Sequence, residues 1–112
     1  MAVYVSNIII EQGFNFDTTF ELQDSRTNSF LDLTGCQVES KLRKTYSSSN
    51  YVSFEADIAK PKLGIIIIRL DSEKTLLLKP GRYVYDIKVI SSLGGVYKAV
   101  EGSALVRAGV TK

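Results

Sequence analysis

Four separate stretches of the chain place apolar residues at every second position, and this spacing constrains the fold more than any other feature. Phe14, Phe16, Thr18, Phe20 and Leu22 alternate with Asn15, Asp17, Thr19 and Glu21. Cys36, Val38, Ser40 and Leu42 alternate with Gln37, Glu39, Lys41 and Arg43. Val52, Phe54, Ala56 and Ile58 alternate with Tyr51, Ser53, Glu55 and Asp57, and Tyr83, Tyr85, Ile87 and Val89 with Arg82, Val84, Asp86 and Lys88. A period of two is the repeat of a pleated strand, so each stretch predicts a half-buried strand with its first-named set in the core.

Three further segments complete the set. Residues 3–10 predict an opening strand, apolar on both faces towards its end. Residues 64–70 predict another, containing four consecutive isoleucines. Residues 96–106 predict a closing strand broken at Glu101-Gly102, where the glycine suggests a bulge. The breaks carry turn chemistry: polar residues at 23–28 and 47–50, Lys60-Pro61-Lys62, and a Gly94-Gly95 hairpin tip. Only 71–78 reads as helical, a single turn capped by Asp71 or Ser72 and stopped by Pro80-Gly81. About seven short strands with one short helical turn predict an all-β fold, a two-sheet antiparallel β-sandwich of immunoglobulin-like type. Tyr83 follows the Pro80-Gly81 turn, as does the corner tyrosine of such sandwiches, whose hydroxyl returns to the preceding backbone.

A length of 112 residues fits one domain, 1–112. Net charge is +2, but residues 1–56 hold seven acids and four bases, and residues 57–112 five acids and ten bases. Scattered solvated charges explain that asymmetry; head-to-tail complementarity between copies is the alternative.

The residues for catalysis are missing. Without histidine there is no Ser-His-Asp or Cys-His arrangement. The single cysteine, Cys36, excludes an internal disulfide or a multi-cysteine metal site and reads as a buried, inert thiol. Asp17 and Glu21, four apart on one strand, stand roughly 13 Å apart, too far to share one cation. Lys41, Arg43 and Lys44 lie near Tyr46 without an aromatic platform, which argues against nucleic-acid binding. The first ten residues lack a basic segment, Glu11 follows at once, and the longest aliphatic run, 65–68, is too short to span a bilayer. The expectation is a protein folded in a reducing cytoplasm, with no enzymatic activity, cofactor, metal, nucleic acid or membrane partner.

Surface remains. A strand apolar on both faces is ordinarily covered on both. In 65–68 the pattern sends Ile66 and Ile68 to the core and leaves Ile65 and Ile67 outward. Asn7-Ile8-Ile9-Ile10 breaks alternation in the same way, and Ile8 and Ile10 complete the expected protein interface.

Several motifs, taken in order, resemble a known family. Leu33-Thr34-Gly35-Cys36-Gln37-Val38, the Gly64 strand, Leu78-Lys79-Pro80-Gly81-Arg82-Tyr83-Val84-Tyr85-Asp86-Ile87, Glu101-Gly102-Ser103-Ala104-Leu105-Val106 and Val110-Thr111-Lys112 look like structural domains of tailed-phage virions. Their order resembles the N-terminal β-sandwich domain of phage baseplate upper proteins. The resemblance implies a virion component of the tail, baseplate, neck or capsid, made in the host cytoplasm, present in multiple copies and docking to other virion proteins. Longer members continue into a receptor-binding or fibre region; this chain ends just after the sandwich, which favours a linking or decorating subunit. The alternative is a free-standing immunoglobulin-like module that binds protein or carbohydrate through end loops at 26–31 and 45–50, with Tyr46 and Tyr51 as the carbohydrate hint.

Overall fold

Alternation gives each strand one inward face, and the computed structural model, which describes residues 4–23 and 30–111, gathers those faces around one core. Among the described residues eight strands form: β1 (Tyr4–Val5), β2 (Ile8–Glu11), β3 (Phe16–Glu21), β4 (Gln37–Arg43), β5 (Val52–Lys60), β6 (Ile65–Leu70), β7 (Gly81–Ile90) and β8 (Val96–Arg107). A 3-10 turn (Pro61–Leu63) separates β5 from β6, and a short helix α1 (Ser72–Leu76) separates β6 from β7. The chain is therefore mainly β, as the periodicity requires. No helix among the described residues is long and apolar enough to cross a membrane. The turn at 23–28 and the loop at 26–31 fall largely outside the described residues.

The strands follow one path, β1-β8-β7-β4-β5-β6-β3, with β2 also on β8, and the path curls into a half-barrel. The corner is β5. Its first residues, Val52 to Phe54, pair with β4, and its remainder, Glu55 to Lys60, pairs with β6. One strand thus serves a first ladder (β1/β2, β8, β7, β4) and a second (β6, β3), with an irregularity between Ile58 and Lys60. A strand that passes from one ladder to the next, as β5 does between Phe54 and Glu55, is how a corner is made.

Two features depart from an all-antiparallel, seven-strand reading. The opening segment is two strands, and both pair parallel with β8. The break between them has a visible cause. The Ser6 carbonyl accepts from the buried Tyr85 hydroxyl at 2.6 Å, and the Asn7 side-chain oxygen accepts from the Ser103 N–H at 3.0 Å. Both contacts pull the backbone over Gly102, where a Cβ would lie 2.0 Å from the Ser6 oxygen. Gly102 therefore makes room for the neighbouring chain and does not interrupt β8. The irregularity in β8 lies instead between the Ile87–Val100 and Lys88–Lys98 pairs, so that Ala99 and Val100 are both buried.

Local chemistry fixes the remaining joints. The Asp71 carboxylate accepts from the Lys74 N–H at 2.9 Å and caps α1. Buried Thr75 donates to the Phe14 carbonyl at 2.8 Å and accepts from the Gly13 N–H at 3.1 Å, clasping α1 to the turn before β3. That clasp takes Phe14, placed inward by alternation, out of the strand and leaves it exposed. The Tyr83 hydroxyl donates to the Lys79 carbonyl at 2.8 Å, the corner contact the sequence predicts. Gly94, at φ +90°, turns the β7–β8 hairpin.

Candidate functional site

The second ladder decides where the isoleucines point. Ile66 and Ile68 are 0% exposed, while Ile65 and Ile67 are half-buried on the outer face. Ile67 lies between Thr19 of β3 and Asp57 of β5, and Ile65 between Glu21 and Lys60. The adjoining level pairs Arg69 with Asp17 on one side and Glu55 on the other. The result is a narrow isoleucine ridge edged by Asp17, Glu21, Glu55 and Asp57. Arg69 approaches Asp57 at 3.5 Å and Glu55 at 3.9 Å, exposed pairs that contribute little to stability.

The other half of the expected interface is corrected. Ile8 and Ile10 face the core, and Ile9, 52% exposed, faces out. Parallel pairing sets Ile8 beside Ala104 and Ile10 beside Val106, both buried, so the register of β8 chooses the face. In a strand apolar at three successive positions, a one-residue slip exchanges the faces and the pattern alone does not choose.

The outer face of the first ladder is a second surface. A groove of about 430 Å³ runs across β4, β7 and β8, with Tyr46 and Tyr97 at its margins. Cross-strand register stacks Glu39, Lys88 and Lys98 at one level and Lys41, Asp86 and Glu101 at the next. Lys88 pairs with Glu39 at 3.0 Å, and Lys98 reaches Glu101 at 3.3 Å and Asp86 at 3.8 Å. The Lys88 hydrogen bond and charge hold the Glu39 carboxyl below its ordinary range. Lys41, Arg43 and Lys44 have no carboxylate within 4 Å among the described residues. They lie instead over aromatic rings. The Lys41 ammonium is 4.3 Å and the Arg43 guanidinium 4.9 Å from the centre of Tyr51, and Lys44 is 4.7 Å from that of Tyr83. The basic group therefore does have aromatic neighbours, which its position in the sequence near Tyr46 does not reveal. Arg43 also donates to the Ser48 carbonyl at 2.6 Å and anchors the 45–50 loop.

Cys36 is half-buried and packs against the core. Asp17 and Glu21 are exposed on β3. Among the described residues, no three His, Cys, Asp or Glu side chains gather as metal ligands. Tyr85 is buried, and burial raises its pKa above the usual tyrosine value. What the sequence pattern misses is the groove. Its charges alternate along β4 and β7, but only the register across three strands joins them.

No protein-family model and no curated protein sequence matches the chain. Among solved structures, the Listeria monocytogenes internalin-like protein lmo2027 is similar at 18% identity and a TM-score of 0.45, over 90% of this chain and 27% of that one. A family 123 glycoside hydrolase from Clostridium perfringens is similar at 14% identity and a TM-score of 0.45, over 100% of this chain and 24% of that one. The chain thus spans about a quarter of the length of either protein.

Proposed function

We propose that the chain is a non-catalytic structural subunit of a tailed-phage virion, in the tail, baseplate, neck or capsid, which docks to other virion proteins. In this reading the two ladders that meet at β5 act as the faces of an immunoglobulin-like sandwich module. The observation that carries it is the outward placement of Ile65 and Ile67 in the first half of β6, where the apolar pair is edged by charged side chains, most of them carboxylates. An apolar centre with a charged rim is the layout of an interface. Virion localisation and virion-protein partners rest on the motif resemblance, and the ridge supplies the surface they need.

The test uses tagged chain supplied during phage growth, followed by gradient purification of particles. Wild-type chain is expected to band with the particles. Ile67→Lys, which places a charge at the middle of the ridge, is expected to remain in the soluble fraction while circular dichroism shows it folded. Wild-type chain that never bands with particles, or Ile67→Lys that bands equally well, would overturn the reading.

A second reading has one observation in its favour. Tyr46, 70% exposed, and Tyr97 flank the groove, as stacking residues of a carbohydrate-binding module would. Quenching of tyrosine fluorescence by soluble oligosaccharides, lost in Tyr46→Ala, would support it.

A further inference from the structure

We infer that the partner of both outer faces is a second copy of this chain, with the acid-edged ridge of one copy seated in the basic groove of the next. The inference rests on the docking reading above and names its partner. Its basis is the charge left over on each face. On the ridge, Arg69 lies between Glu55 and Asp57 and across from Asp17, Lys60 stands beside Ile65, and neither Asp17 nor Glu21 has a basic group within 4 Å among the described residues, so four carboxylates face two cations. On the groove face, Lys88 and Lys98 are answered by Glu39, Asp86 and Glu101, while Lys41 and Arg43, which also line the groove, have no carboxylate within 4 Å among the described residues. One face carries spare carboxylates around two isoleucines; the other carries spare cations beside an open groove.

The two patches lie on different ladders, either side of the β5 corner, so one copy cannot bring its own together. Two different patches that fit each other make a heterologous contact, which adds copies head to tail until a ring closes or a filament grows. Pairing of opposite patches also sets orientation and makes association sensitive to salt, because exposed charges are screened within about 10 Å at 0.1 M ionic strength.

Two charge-reversed variants test it. Lys41→Glu/Arg43→Glu disables the groove and leaves the ridge, and Asp17→Lys/Glu21→Lys does the opposite. All four positions lie on outer strand faces, and circular dichroism checks that each variant folds. In sedimentation velocity, wild-type chain is expected to run larger than a monomer at low salt and to fall to monomer as salt rises. Each variant alone is expected to be monomeric. Their equimolar mixture is expected to associate again, because the ridge of the first variant still matches the groove of the second. Variants that still assemble alone, or a mixture that stays monomeric, would overturn the inference. Wild-type chain that is monomeric at every salt concentration yet enters particles would overturn the second copy as partner and leave docking to another virion protein intact. Failure to enter particles would instead strike the reading on which this one rests.

Discussion

Ile66→Lys is expected to prevent folding, whereas Ile67→Lys, one residue away, is expected to fold. Ile66 is fully buried between Phe20 of β3 and Ile58 of β5, with no acidic group among its cross-strand partners. A lysine there must bury its ammonium unpaired or lose its proton. Mechanisms of this kind stand among the few that cost more than about 4–5 kcal/mol, comparable to the whole stability of a small domain. Ile67 shares the strand but not the face. A lysine at 67 emerges beside Asp57 and Thr19 and is expected to cost about 1 kcal/mol, the span of substitution effects on a half-exposed strand. Circular dichroism and urea unfolding distinguish the two. Equal loss of structure in both variants would mean that both faces of β6 are covered within the monomer.

Gly102→Ala is expected to destabilise the protein by about 3 kcal/mol, at the upper end for an overpacked site, and to lower Tm by roughly 12–20 °C. The cause is space. The added Cβ would stand 2.0 Å from the Ser6 oxygen, and relief requires β1 to lift away, which also strands the Tyr85 hydroxyl that donates to that carbonyl. Gly94→Ala is the contrast. It has φ +90° but nothing within 4 Å, so only backbone strain of about 1–2 kcal/mol applies. Thermal unfolding of the two variants separates close approach from dihedral strain, and a Gly102→Ala protein that melts with wild type would mean that the β1–β2 break is not held over this glycine.

The contrast between these glycines shows where sequence reading stops. Gly94 announces itself, because Gly-Gly between two strands is a turn whatever surrounds it. Gly102 reads as a break in its own strand, whereas its role is set by Ser6, nearly a hundred residues away. The same divide runs through the strands. Where apolar and polar residues alternate, as in Val38, Ser40 and Leu42 or Tyr85, Ile87 and Val89, the inward face is legible, and the structure confirms it. Ser40 is the polar member of its set, and it is buried with its hydroxyl donated to the Asp86 carbonyl at 2.7 Å. Where three isoleucines run together at Ile8, Ile9 and Ile10, the face is decided by parallel pairing with β8, which no local pattern encodes. In β6 the flanking residues help, since Arg69 exposed and Leu70 buried fix the phase of the run before them. The ridge was therefore readable and the groove was not.

The outer face of β6 is expected to become covered when the protein assembles, and a thiol placed on that face reports the coverage. Ile67→Cys in a Cys36→Ala background carries a single reactive thiol, since Cys36 is the only native cysteine and its replacement removes packing alone. In the free monomer the thiol is expected to react readily with a maleimide. In assembled particles it is expected to be protected, while a control thiol at Leu93, on the exposed tip of the β7–β8 hairpin, reacts in both states. Equal labelling at position 67 before and after assembly would contradict the account.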